Sequence, residues 1–514
     1  MGFSRVGERQ GADASSMSQL RTRVANTTGG VTAGSPCSTS RAPANVPRWT
    51  LVDVVEEKMI DEITIFGQDQ ICESAETARW SRRDVLAASA RSTAVAWATL
   101  MTSAGTRAEA ADMGEGPLAG RVVNVKDFGA KGDGSNGTRA LQRAIAASRE
   151  DDAIYFPPGT YVTEAPLVPK ARQTYFSLGN GATIKALPGR GPLGLFIVRT
   201  GSVAFHNLTL DLSKPETIEP PKCDPNSRAA ISVRVGAAGV VDLVVTCCRV
   251  RHSYAQGIRV DGGGSGRDRV LVRDLLVEDC CESGLTLTNV NGARLGASRL
   301  TGCRNGVQVA FSRDIVISSV NANANRRHGI AVLFSHDWHV IDCAARVNGG
   351  RERDRAKRRG WGIAAGGGPE RGGGTPNSDY TISNNVCEDN YQGGITLDPT
   401  VDDDPTTPRR DESKVTWPQR ARVFGNVCQG RNQGKSLGTI GIQVRNSRDV
   451  SIADNICHNN GSGISLFHAP RVLVQANACY TNTNGIAIYK RDGLPDPVIG
   501  PNTLCDNTTD INRS

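Results

Sequence analysis

The sequence predicts an all-β fold, a parallel β-helix that stacks coils of about 22 residues behind an N-terminal capping helix. Three observations predict it. A Gly-apolar-x-apolar unit recurs from GIRV at 257 through GLTL at 284, GVQV at 306 and GIAV at 329 to GIAI at 485, and the copies at 441, 463 and 485 lie 22 residues apart. An Asn-x-Cys triplet recurs at one phase of the same repeat, at Asn385, Asn426, Asn455 and Asn477. Glycine is abundant at 57 residues while aromatics are only 5%, which suits thin stacked layers with many tight turns better than a thick globular core.

The first 111 residues read as addressing. Residues 1–79 are polar, rich in Ser, Thr and Arg and without periodicity, so they are expected to be a disordered leader or an over-long start, with Met59 an alternative first residue. Residues 80–111 carry Ser81-Arg82-Arg83-Asp84-Val85-Leu86, a mildly apolar run over 87–104, and the small-x-small site Ala108-Glu109-Ala110. That order is similar to a twin-arginine signal peptide, which implies export by the twin-arginine machinery, cleavage near Ala110 and a periplasmic or secreted product. No run of 18 apolar residues occurs, so no stable membrane anchor is expected.

Residues 112–165 should form the N-terminal cap and first coil. NVKDFGAKGDG at 124–134 leads into a helical pattern over 138–148, whose Ala140, Leu141, Ala144 and Ile145 make one apolar face able to close the open end of a solenoid. Ile154-Tyr155-Phe156-Pro157-Pro158-Gly159-Thr160-Tyr161 follows. These two segments resemble the opening of the pectate-lyase-like right-handed parallel β-helix superfamily, which includes polygalacturonase relatives, phage tailspikes and mannuronan C5-epimerases. The resemblance implies a right-handed solenoid over nearly all of 120–514 and a protein that handles polysaccharides.

Residues 166–514 should be the β-helix itself. Each coil can bury its Ile and Val only against its neighbours, which explains why the pattern persists. Asn in a stacked turn can pass amide bonds from coil to coil and tolerates a left-handed backbone. The cysteine two residues later should point inward as a small apolar group. Cys387, Cys428, Cys457 and Cys479 are therefore expected to form a buried thiol ladder, with neither disulfides nor metal among them. In the adjacent pairs Cys247-Cys248 and Cys280-Cys281, one member should face inward and the other should be a surface thiol.

Insertions single out one region. Steps of 33, 32 and 47 residues separate the units at 329, 362, 394 and 441, and long loops on one side of a solenoid can wall a groove. The first of these carries Arg351, Arg353, Arg355, Lys357, Arg358 and Arg359 with no apolar residue larger than Ala356 among them. A basic loop beside a groove attracts a polyanion, and for this fold an acidic polysaccharide is the natural partner. Few aromatics lie near the loop, so no nucleic-acid partner is expected. The net charge of +8 is modest for this length, and its placement matters more than its size.

Alternation gives the outward residues. With the two aliphatics of each unit pointing in, the residue before the glycine and the fourth after it should point out. His328 and Trp361 then stack as neighbours in the first column, and Asp398 and Arg445 in the second. Trp361, Phe467 and Tyr489 are read as exposed platforms for sugar rings, with Arg445, Arg358 and Arg359 as cationic substrate contacts.

Asn323-Ala324-Asn325-Arg326-Arg327-His328-Gly329-Ile330, followed by Ser335-His336-Asp337-Trp338, resembles a segment of the mannuronan C5-epimerases whose Arg-His pair lines the uronate groove. The resemblance implies binding or catalytic roles for Arg327 and His328. Arg327 could neutralise a uronate carboxylate while His328 moves the C5 proton. The Tyr-Gly-Phe-Asp-Pro-His motif of those enzymes is absent: the matching coil reads Ser283-Gly284-Leu285-Thr286-Leu287-Thr288 or, one coil further back, Gln256-Gly257-Ile258-Arg259-Val260-Asp261, and neither keeps the Tyr or the His. A hydrolase would instead use Asp398 with Asp402, Asp403 or Asp404, although these acids could equally bind calcium. No cofactor is otherwise implied. His336 and His339 read as structural, and Gly263-Gly264-Ser265-Gly266-Arg267-Asp268 as a glycine loop. The sequence thus points to a lyase or C5-epimerase acting on an acidic polysaccharide, with a hydrolase and a non-catalytic carbohydrate-binding or assembly protein as rivals.

Overall fold

The computed structural model describes residues 120–513, apart from 180, 189–193, 215–228, 236–238, 264–265, 350–359, 367–376, 400–416, 431–438 and 491–492. The leader, the arginine pair and the cleavage site lie outside the described residues. So do Arg358, Arg359 and Asp402 to Asp404.

Three parallel sheets run the length of the described chain. Sheet A holds 14 strands from Val122–Asn124 to Val498–Ile499, sheet B 14 from Asp133–Asn136 to Thr503–Cys505, and sheet C 12 from Phe196–Val198 to Thr509–Arg513. The chain passes A to B to C once per coil, so each strand pairs with the strand one coil away, as Ile330 does with Ile363 and Ile363 with Ile395. This is a right-handed parallel β-helix. The inward aliphatics of all three sheets form one continuous core. The helix Thr138–Ala147 lays Ala140, Leu141, Ala144 and Ile145 onto that core, as its periodicity predicts.

The corners explain the repeat. From A to B the chain turns in two residues, as between Arg273 and Leu276 or Ser383 and Val386. Asp274, Asn384 and Asp454 hold the left-handed backbone there. The next residue is often the ladder asparagine. Asn385 Nδ2 donates to Asn426 Oδ1 at 2.9 Å, Asn426 to Asn455 at 2.9 Å, and Asn455 to Asn477 at 2.9 Å. A second ladder stands at the B-to-C corner, where Asn325 donates to Asn348 at 3.2 Å and Asn348 to Asn390 at 2.9 Å.

Cys387, Cys428, Cys457 and Cys479 are buried free thiols in register, as expected. Hydrogen bonding with the neighbouring ladder sulfurs, together with burial, pushes Cys428 and Cys479 well above the ordinary thiol range, so both stay protonated. Cys247 is exposed and Cys248 buried, as expected. Cys281 corrects the reading of the second pair. It is buried beside Cys280 and disulfide-bonded, because it lies at the corner after the strand Leu276–Cys280, where alternation no longer governs direction.

Candidate functional site in the sheet C groove

The enlarged connections all border sheet C. From B to C they run between Asp211 and Ile231, Arg346 and Trp361, and Gln429 and Ile440. From C to A they run between Gly366 and Ser378 and between Leu397 and Gln419. From His206 onward the A-to-B corners stay short, at one to three residues. The long connections thus begin or end at sheet C, and the side chains on its outer face are the candidate site. The steps between glycine units revealed only part of this pattern, because they begin after the connection that follows Asp211.

Alternation places three columns on that outer face, one more than the sequence reading used. The residue between the two inward aliphatics also points out, giving Arg259, Thr286, Gln308, Ala331, Ala364, Thr396 and Gln443. The signal was available in the period of two itself.

The pre-glycine column lies on the expected face but is largely buried. Trp361 is 5% exposed and His328 0%, so neither is the open surface residue predicted. Trp361 is no sugar platform. Its ring reaches over Gly393, where an added β-carbon would stand 2.7 Å from Cζ3. There it packs with Ala310, Leu333 and Ala364, and against Ile440, in a small apolar cluster separate from the core. Periodicity gives the face of the sheet; it says nothing about what lies over it.

His328 and Trp361 are neighbours as predicted, with the Trp361 backbone N–H donating to His328 Nδ1 at 3.2 Å. A backbone amide can only donate, so Nδ1 carries the lone pair and the ring hydrogen sits on Nε2. His328 in this state is a hydrogen-bond donor at Nε2 and not a proton acceptor there. Arg327 beside it is half-buried, its backbone N–H bonded to Arg304 O at 2.7 Å.

The far edge of sheet C holds the other predicted residues. Arg445 pairs with the buried Asp398, 3.9 Å from Nη1 to Oδ2. Its guanidinium also lies 5.2 Å from the Phe467 ring centroid, and Phe467 stands 5.8 Å from Tyr489. This row of acid, cation and two half-buried aromatics follows the column the repeat predicts. Asp398 and His328 share the face but not one constellation. They sit at opposite ends of strands two coils apart, a separation on the order of 15–20 Å.

Among the described residues no group of three or more His, Cys, Asp or Glu could hold a metal ion. His336 and His339 pair with neighbouring strands of sheet A, away from this face. Among the described residues no helix is long and apolar enough to cross a membrane.

The three stacked sheets make the chain a right-handed parallel β-helix. Residues 122–331 match the family model described as rhamnogalacturonase A/epimerase, pectate lyase-like. The Dettilon tailspike protein superposes with a TM-score of 0.51 at 14% identity, covering 74% of this chain and 68% of that one. The A-module of the Azotobacter vinelandii mannuronan C-5 epimerase AlgE4 gives 0.47 at 18% identity, over 77% of this chain and 99% of that one. A Yersinia enterocolitica family 28 exopolygalacturonase gives 0.45 at 14%, over 77% and 78%. At these identities the likeness is one of fold. No curated protein matches the chain in sequence at a significant level.

Proposed function

We propose that the protein holds an acidic, uronate-containing polysaccharide along the outer face of sheet C and acts on it as a lyase or C5-epimerase. The observation that carries this is the confinement of the long connections to the two edges of one sheet. The floor between those edges bears cationic and donor side chains. The pectate lyase-like match over 122–331 supports the substrate class. In this reading Arg327 neutralises the sugar carboxylate and His328 donates a hydrogen bond to it through Nε2–H. The Arg445–Phe467–Tyr489 row extends the binding surface. The chain reaches the periplasm or the medium through the twin-arginine pathway, so changing Arg82 and Arg83 together to Lys should hold the precursor in the cytoplasm.

A second reading, a carbohydrate-binding protein without turnover, is favoured by His328 being held as a donor. The hydrolase reading rests on Asp398, whose ion pair with Arg445 suits a base or nucleophile and not an acid. One assay separates the three: incubation with a panel of polyuronates and neutral glycans. New ultraviolet absorbance indicates a lyase, C5 proton exchange an epimerase, and reducing ends without absorbance a hydrolase. Retained binding without any product leaves the second reading, and no binding to any polyuronate defeats the acidic-substrate proposal.

A further inference from the structure

Three consecutive coils of sheet C place Arg259, Thr286 and Gln308 in one outward column. They are paired in register, Arg259 with Thr286 and Thr286 with Gln308, so neighbours stand about 4.8 Å apart. The way Gln308 presents its amide is decided by a chain of bonds that starts at a group with only one polarity. The His328 backbone N–H donates to Asn305 Oδ1 at 3.1 Å, which turns the Asn305 amide nitrogen away from that bond. Asn305 Nδ2 then donates to Gln308 Oε1 at 3.3 Å, and Ser283 Oγ donates to the same oxygen at 2.9 Å. Ser283 and Asn305 are buried, so this orientation is built from inside.

The amide oxygen of Gln308 is consumed, and Nε2 makes no hydrogen bond among the described residues. Thr286 is 8% exposed and its hydroxyl has no partner. A buried polar group left unpaired at a groove floor points to a ligand that completes it. Arg259 continues the column, its Nε bonded to Asp261 Oδ2 at 3.0 Å. The column thus offers donors at three successive positions. An ionised carboxylate brings only acceptors and matches such a row. A sugar hydroxyl also brings a hydrogen, and the amide oxygens of Gln308 and Asn305 are already occupied.

We infer that Arg259, Thr286 and Gln308 form a carboxylate-recognising subsite, with Ser283 and Asn305 positioning Gln308. This rests on the acidic-polysaccharide reading above and assigns the residues that distinguish a uronate from a neutral sugar. It coincides with the coil that lacks the Tyr-Gly-Phe-Asp-Pro-His motif, where Ser283, Thr286 and Thr288 stand instead.

The test is calorimetric titration of the full chain with mannuronate, guluronate and galacturonate oligomers, each beside its carboxyl-reduced counterpart. Gln308→Glu keeps the shape and the bonds from Ser283 and Asn305, but replaces the outward donor by a carboxylate oxygen. It should weaken the preferred uronate oligomer at least tenfold and change the reduced oligomer less than twofold. Thr286→Val removes the unpaired hydroxyl, so it should raise the melting temperature while weakening uronate binding about fivefold. That opposed pair of effects is not expected of a purely structural residue. Wild-type protein that binds no uronate oligomer defeats both this inference and the proposed function. Wild-type protein that binds uronate and reduced oligomers alike, or uronate binding unchanged in both variants, overturns the subsite and leaves the broader function standing.

Discussion

At the scale of single residues, the glycine that opens most sheet C strands shows how a visible pattern hides its cause. At Gly394 an added β-carbon would lie 2.6 Å from Cys428 Sγ and 2.6 Å from the Gly441 carbonyl oxygen. The neighbouring coil and the thiol ladder occupy that space. Gly394→Ala should therefore cost about 1–3 kcal/mol by overpacking, read as a lower urea midpoint, whereas Gly134→Ala is limited to its own backbone strain because nothing lies within 4 Å. Equal losses at the two sites would contradict this. The recurrence of glycine was legible in the sequence; the sulfur it makes room for came from a different column and was not. His206 supplies a second residue-scale test. Burial lowers its pKa from 6.5 to about 4, with Nδ1 beside Thr246 Oγ1. Below pH 6.5 the unfolded chain takes up a proton that the folded chain refuses, so stability falls as pH drops from about 6.5 toward 4. The full loss is about 3 kcal/mol. Denaturant titrations at pH 7 and pH 5 should show that His206→Gln flattens this slope, and an unchanged slope would remove His206 as its source.

At the scale of elements, the asparagine ladders join the corners of successive coils. Asn455 Oδ1 accepts from both the backbone N–H and Nδ2 of Asn426, while its own Nδ2 donates to Asn477 Oδ1, Val423 O and Ala453 O. Asn455→Ala leaves several buried partners unpaired at about 1–3 kcal/mol each. A loss of roughly 3 kcal/mol or more in chemical denaturation is expected, against less than about 1 kcal/mol for Asn459→Ala, whose Nδ2 meets only His458. Comparable effects at Asn455 and Asn459 would mean that the ladder does not stabilise the coil. The first ladder was readable because Cys follows each Asn at fixed spacing. The second was not: long connections fall within its steps, and Gly430 breaks it where an added β-carbon would stand 2.7 Å from Asn460 Oδ1. The same split applies to the site. Asp398, Arg445, Phe467 and Tyr489 follow a column that periodicity gives directly. The burial of Trp361 comes with an apolar cluster over the sheet, and the repeat carries no trace of that.

At the scale of the whole molecule, a solenoid is held by contacts between neighbouring coils, so its stability depends on how its ends are finished. The two described ends differ. At the first coil, Leu141 is fully buried in the same cluster as Ile154, Phe156 and Tyr161. Thr138 steadies the start of its helix through Oγ1 to Asn136 Oδ1 at 2.6 Å. At the last coil, Val498 is 61% and Ile511 40% exposed, and among the described residues the strands Val498–Ile499, Thr503–Cys505 and Thr509–Arg513 each pair on one side. Opening should therefore start from the last coils and travel inward, with the helix holding the first coils closed. Hydrogen exchange followed by mass spectrometry should show protection falling over residues 472–513 before it falls over 153–212. Leu141→Asp places a charge in the apolar seal and should cost several kcal/mol at that end. Exchange over 153–212 should then rise to match the last coils, and the newly uncovered strand edges should drive concentration-dependent association. If Leu141→Asp speeds exchange equally in every coil, the chain opens as a single cooperative unit, and the helix is no local cap but part of one indivisible core.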